Sequence, residues 1–74
     1  MAATPDFVFV EPDGTTESAV RRKNPDGTIG GWVARSARVH PSAIIEPDAI
    51  VEPGANVGRN ERVENGTVVI GRPI

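Results

Sequence analysis

The chain has 74 residues, a net charge of −2, one histidine and no cysteine. That length argues for a single domain, one that buries only about 60% of its unfolded surface, and the lack of cysteine excludes disulfides and thiolate metal sites. Residues 1–32 carry three basic and five acidic side chains and residues 33–74 carry five of each, a balance that argues against a nucleic-acid surface.

The opening, MAATPDFVFVEPDG, has no basic segment and too short an apolar stretch for a signal peptide. No apolar run approaches the ~18 residues of a membrane span. Synthesis in the cytoplasm and no membrane partner are therefore expected. A scaffold this small, without disulfides or a metal site, is expected to rely on oligomerisation.

Residues 1–32 hold two Pro-Asp-Gly turns, at Pro12-Asp13-Gly14 and Pro25-Asp26-Gly27. Proline pre-sets one torsion and glycine supplies positive φ. They divide the region into three predicted strands, about 7–10, 15–22 and 28–33. Phe7 and Phe9 face one way in the first and Val8 and Val10 the other, so it is expected to be covered on both sides. The run Arg21-Arg22-Lys23 reads as a solvated hairpin end. PDGTIGG has glycines but lacks the G-x-G-x-x-G spacing and the following helix of a phosphate loop.

From Val33 the chain falls into sixes: VARSAR, VHPSAI, IEPDAI, VEPGAN, VGRNER, VENGTV, VIGRPI. The first position is always Val or Ile: Val33, Val39, Ile45, Val51, Val57, Val63 and Val69. The fifth is small in five of seven, at Ala37, Ala43, Ala49, Ala55 and Thr67. The third and fourth collect Pro, Gly, Asn, Asp and Ser, the residues of turns. Each unit is thus a short strand with one inward aliphatic, followed by a corner, and the prolines sit at corners where a missing N–H costs no ladder bond. Asn65-Gly66-Thr67 reads as such a corner with positive φ rather than as a glycosylation acceptor.

This pattern resembles the hexapeptide-repeat family. The resemblance implies an all-β fold: a short left-handed parallel β-helix of about two coils over residues 33–74, preceded by an N-terminal β-hairpin or meander over 1–32. Three hexads make one coil in that family, so residues eighteen apart stack. Handedness comes from the resemblance, not from the period. Glu61 departs from the small fifth position; a carboxylate is not buried cheaply, so it is expected to swing outward or to pair with Arg59 or Arg62. Ile70 and Pro73 break the pattern as a terminal unit does.

Sorting the outward residues by eighteen puts Trp32, Ile50 and Val68 on one face, with Ala34 and Ile70 next in line. The second face receives Arg38, Asn56 and Ile74, the third Ile44 and Arg62. An apolar stripe marks a contact. Trp32, Ala34, Ile50, Val68 and Ile70, with Phe7 and Phe9 of the first strand, are the candidate interface, covered by that strand, by another subunit, or by both. Hexapeptide-repeat proteins are commonly trimers, which implies a homotrimer here.

Many members of the family are acyltransferases that use a histidine base. His40 is the only candidate, in VHPSA at an outward position where polar residues are ordinary, and general-base work needs an orienting partner and a pocket. The expectation is a non-enzymatic assembly protein without cofactor or metal. PDGTIGGWV followed by hexads also resembles the opening of small hexapeptide proteins encoded by phages and bacteria. This implies a trimeric phage capsid decoration, or cement, protein bound to the shell of a virion. The alternatives are a minimal hexapeptide-repeat acyltransferase and a regulatory domain of one.

Overall fold

The computed structural model describes residues 8–11 and 13–71. Among them the chain is all-β. Three longer strands come first: β1 (Val8–Val10), β2 (Thr16–Lys23) and β3 (Ile29–Ala34). Six strands of two residues follow: β4 (Arg38–Val39), β5 (Ile44–Ile45), β6 (Ile50–Val51), β7 (Asn56–Val57), β8 (Arg62–Val63) and β9 (Val68–Val69). No helix long and apolar enough to cross a membrane is present among the described residues.

β1, β2 and β3 form an antiparallel meander. In the second hairpin turn the Gly27 N–H donates to the Asn24 carbonyl at 2.9 Å and the Asn24 N–H to the Thr28 carbonyl at 2.8 Å. Gly27 has φ +89°, a conformation that glycine adopts at no steric cost. The Asp26 carboxylate accepts both the Thr28 N–H and the Thr28 hydroxyl. Asp13 and Thr15 repeat that arrangement in the first turn. The same D-G-T chemistry therefore makes the same hydrogen bonds in both hairpin turns.

From β3 onward the pairing becomes parallel, and every partner is eighteen residues away. β3 pairs β6 and β6 pairs β9, so that Trp32, Ile50 and Val68 lie in one row and Val33, Val51 and Val69 in the next. β4 pairs β7 through Arg38↔Asn56 and Val39↔Val57, and β5 pairs β8 through Ile44↔Arg62 and Ile45↔Val63. One mixed sheet thus runs in the order β1-β2-β3-β6-β9, beside two parallel ladders. β3 belongs to both the meander and the parallel ladder.

The corners between the short strands are built alike. The N–H groups of Ala37, Ala43, Ala49, Ala55, Glu61 and Thr67 each donate to the carbonyl three residues back. Pro41, Pro47 and Pro53 occupy the second position of such turns, where φ is fixed favourably and no N–H is required. Gly54, Asn60 and Gly66 occupy the third with φ of 78°, 59° and 84°, the position that needs positive φ in a type II turn. At Ala49 the chain passes so near β3 that a Cβ on Gly31 would overlap the Ala49 carbonyl oxygen.

Inside these ladders lie Val33, Ile45, Val51, Val57 and Val63 with Ala43, Ala49 and Ala55. Ile45 and Val51 are fully buried, and each contributes roughly 1.5–3 kcal/mol. Val39 and Val69 pack against the cluster from partly buried positions. A second cluster joins Phe9, Ala19 and Ala34, with Trp32 and Ile50 packed on it.

Two features differ from expectation. β1 is covered on one side only: Phe9 is buried, whereas Val8 and Val10 are 46% and 73% exposed. β1 is the outermost strand of its sheet, and its second face has no packed layer of described residues to cover it. Arg22 is not part of a solvated hairpin end. It is half-buried, and its Nη2 donates to the carbonyls of His40, Pro41 and Ala43 at 3.0, 3.3 and 3.2 Å.

Candidate interaction surface

The apolar stripe is present in the register expected, but its upper and lower parts differ. Ala34 is 1% exposed beneath Phe9 and Ala19. Trp32 and Ile50 are half-buried, and the Arg21 guanidinium lies 4.8 Å from the Trp32 ring centroid, close enough for a cation–π contact. The chain's own first strands therefore cover the top of the stripe. Lower down, Val68 is 47% and Ile70 74% exposed. Phe7, the remaining candidate, lies outside the described residues.

A second apolar surface is one that face-sorting did not find. Val8 stands opposite Ser18 and Val10 opposite Thr16, and Val20, two residues beyond Ser18 on the same face of β2, is 53% exposed. The three valines make a patch on the arm opposite Phe9. The strand alternation that buries Phe9 and Ala19 turns these residues outward. This alternation was visible in FVFV; the absence of a covering layer was not.

The two ends of the ladders are finished in different ways. Along β3, β5 and the corners beside them, β2 and the turn after it supply the hydrogen bonds that a further parallel strand would supply, whereas β4 has no strand partner but β7 among the described residues. Val20 pairs Val33. The Glu17 carboxylate accepts the Ser36 N–H at 2.6 Å, and the Ser18 carbonyl accepts the Arg35 N–H at 3.3 Å. Arg22 covers the three carbonyls of the next corner. Asn24, 4% exposed, pairs with both main-chain groups of Ile45. Its Oδ1 accepts the Ile45 N–H at 2.9 Å, and its Nδ2 donates to the Ile45 carbonyl at 2.9 Å. An amide side chain thereby takes the place of a strand residue.

At the other end, no strand of the described residues lies beneath β7, β8 or β9. Glu61 is exposed, and its Oε1 accepts the Gly58 N–H. It pairs with neither Arg59 nor Arg62. Eighteen residues earlier the equivalent N–H, that of His40, donates to the Val57 carbonyl on β7. The residue that breaks the hexad pattern thus supplies an acceptor to an N–H that has no strand partner among the described residues.

A concave pocket of about 320 Å³ lies between the β2–β3 turn and the β5–β8 ladder, bordered by Asp26, Ile44, Glu46, Arg62 and Asn65 among others. Its polar groups bind one another. The Arg62 Nε donates to Glu46 Oε2 at 2.6 Å, and the Asn65 N–H to Glu46 Oε1 at 3.1 Å. The Arg62 hydrogen bond holds the Glu46 carboxyl below its ordinary pKa, and the Thr28 hydroxyl does the same for Asp26. Both are carboxylates held in the ionised form, not groups tuned for proton transfer near neutrality. No group of three or more His, Asp or Glu side chains converges as a metal site among the described residues.

His40 is tied into its corner. Its Nδ1 accepts the Ser42 N–H at 3.1 Å and lies 2.8 Å from the Ser42 hydroxyl. That hydroxyl in turn accepts the Asn60 N–H at 2.9 Å. With Nδ1 accepting, the hydroxyl donates to the ring, and the three residues brace one corner against the next. His40 does not border the pocket. No family model, curated protein or solved structure matches the chain.

Proposed function

We propose that this chain is a non-enzymatic structural module that acts by assembling with other protein surfaces, and that its coils form a short left-handed parallel β-helix. The eighteen-residue registers of all three ladders and the repeated corner turns support the helical reading. Its hand rests on the resemblance of the hexads.

The observation that carries the assembly reading is the apolar surface left outside. Val8, Val10 and Val20 on the arm and Val68 and Ile70 on the lower stripe are half to three-quarters exposed, on a chain small enough that such groups are costly to leave in water. Grouped exposed aliphatics mark contacts with other proteins. The engagement of His40 in its corner, away from the pocket, weighs against acyl transfer.

The specific form we propose is a homotrimer that decorates a phage capsid, drawing on the resemblance of PDGTIGGWV and the hexads to small phage proteins. Val68 and Ile70 would lie between subunits, and the arm valines would meet the shell. Light scattering on the purified chain tests the first part: a trimer mass that falls to monomer in I70D supports it, and a monomeric wild type contradicts it. Co-purification with intact virus particles, lost in V10D, tests the second.

A further inference from the structure

The period that builds this fold has a consequence for its ends. β6 lies on β3 and β9 lies on β6 in the same register. A lower rim of β7, β8 and β9 is therefore matched, group for group, to the upper edge of any first coil of the same sequence. Joining the two would be a heterologous contact that does not close, and such contacts grow into filaments.

The upper edge, however, is occupied along β3 and β5, though not along β4, whose one strand partner among the described residues is β7. β2 fills it along β3, Glu17 and Ser18 fill it at the first corner, and Arg22 and Asn24 fill it at the second corner and on β5. Among the described residues the lower rim is finished only by Glu61 at one corner. Unpaired edges are what strand proteins protect against edge-to-edge association, and here the protection is concentrated at one end.

We propose that the β2–β3 hairpin is a terminator. By occupying the upper edge of the first coil it denies that edge to the lower rim of a second copy of this chain, and so holds the protein in a finite state. The occupant excluded is another copy, because the pairing denied is the one the chain already makes twice with itself along β3, β6 and β9. Arg22 and Asn24 are the replaceable parts of the cap, since they act through side chains where β2 acts through its main chain. The Arg22 Nε is itself buried without a partner, which lowers the stability of the capped form relative to a true strand.

The test is the full chain carrying R22A and N24A, followed by sedimentation over a concentration series and by electron microscopy. Wild type is expected to keep one mass at all concentrations. The variant, in which β2 still covers β3, is expected to gain mass with concentration, by more than about twofold, through the β5 edge that it opens. Adding V68P, which removes an N–H that the register turns away from the coil above, should return the mass to that of wild type. A folded R22A/N24A protein with wild-type mass would overturn the proposal. So would large species that persist with V68P, because they would not be joined at the rim. Should the double variant lose its β signal in circular dichroism, N24D carries the same test. It keeps the acceptor for the Ile45 N–H, loses the donor to the Ile45 carbonyl, and is read by the same outcomes.

Discussion

Replacing Asn24 with alanine isolates the contribution of one side chain to the closed end. Asn24 is 4% exposed and Ile45 is fully buried, so neither main-chain group of Ile45 gains water when the amide is removed. The amide's two bonds to Ile45 are both 2.9 Å, and a third, from Nδ2 to the Thr28 hydroxyl, is 3.1 Å. Leaving a buried donor or acceptor unpaired costs about 1–3 kcal/mol, so two such groups cost about 2–6 kcal/mol. For a chain of 74 residues, total stability at the usual per-residue value is about 4–11 kcal/mol. Asn24→Ala should therefore remove a large share of the stability. Urea titration should show a much lower midpoint with an unchanged slope, as expected when the native state alone is weakened. Thr28→Val serves as the control, because it removes the third bond and the exposed hydroxyl bond to Asp26 but leaves both main-chain groups of Ile45 paired, and should cost less than Asn24→Ala. A loss in N24A no greater than in T28V would refute the reasoning, because water would then be reaching Ile45.

Two further outcomes follow from the geometry. Gly31→Ala places a Cβ on the Ala49 carbonyl oxygen; because the obstacle is backbone, the strand must shift, at about 1–3 kcal/mol, whereas Gly58→Ala meets only the Glu61 side chain and should lower the melting temperature less. Glu46 and Asp26 have folded-state pKa values below their ordinary ones, so each contributes stability that is present above the unfolded-state pKa and is lost as pH falls through the folded-state pKa; stability measured from neutral into acid should decline less steeply in E46Q than in wild type, and an unchanged slope would contradict the Arg62–Glu46 assignment.

The repeat was legible because its physics is local and periodic. An aliphatic at every sixth position identified Ile45, Val51, Val57 and Val63 as interior, and all four are buried. Sorting by eighteen gave the rows Trp32–Ile50–Val68, Arg38–Asn56–Ile74 and Ile44–Arg62; the ladders pair the described members so, and Ile74 lies outside the described residues. Proline and glycine marked corners because the corner torsions require them. The closed end was not legible. Arg22 and Asn24 are polar residues in a hairpin, and nothing in a hairpin's own pattern says that its side chains reach Ile45 and Ala43, twenty-one residues away. One clue was available: the two turns share P-D-G-T, yet the residue before them is Glu11 in one and Asn24 in the other, and an amide can both donate and accept where a carboxylate only accepts. Glu61 was read as a defect because the expectation concerned what fits inside, whereas its role concerns an N–H left over at the edge. The arm patch was missed for a related reason: alternation assigns Val8 and Val10 to a face without saying whether anything covers it.

The central claim is that parallel pairs eighteen residues apart enclose the aliphatic interior. Backbone nuclear Overhauser contacts in the labelled protein test it directly. The account predicts contacts linking Val33 to Val51, Val39 to Val57, Ile45 to Val63 and Val51 to Val69, with slow amide exchange at Glu46 and Glu52. Contacts that instead pair successive hexads in antiparallel order, or fast exchange at those amides, would contradict it.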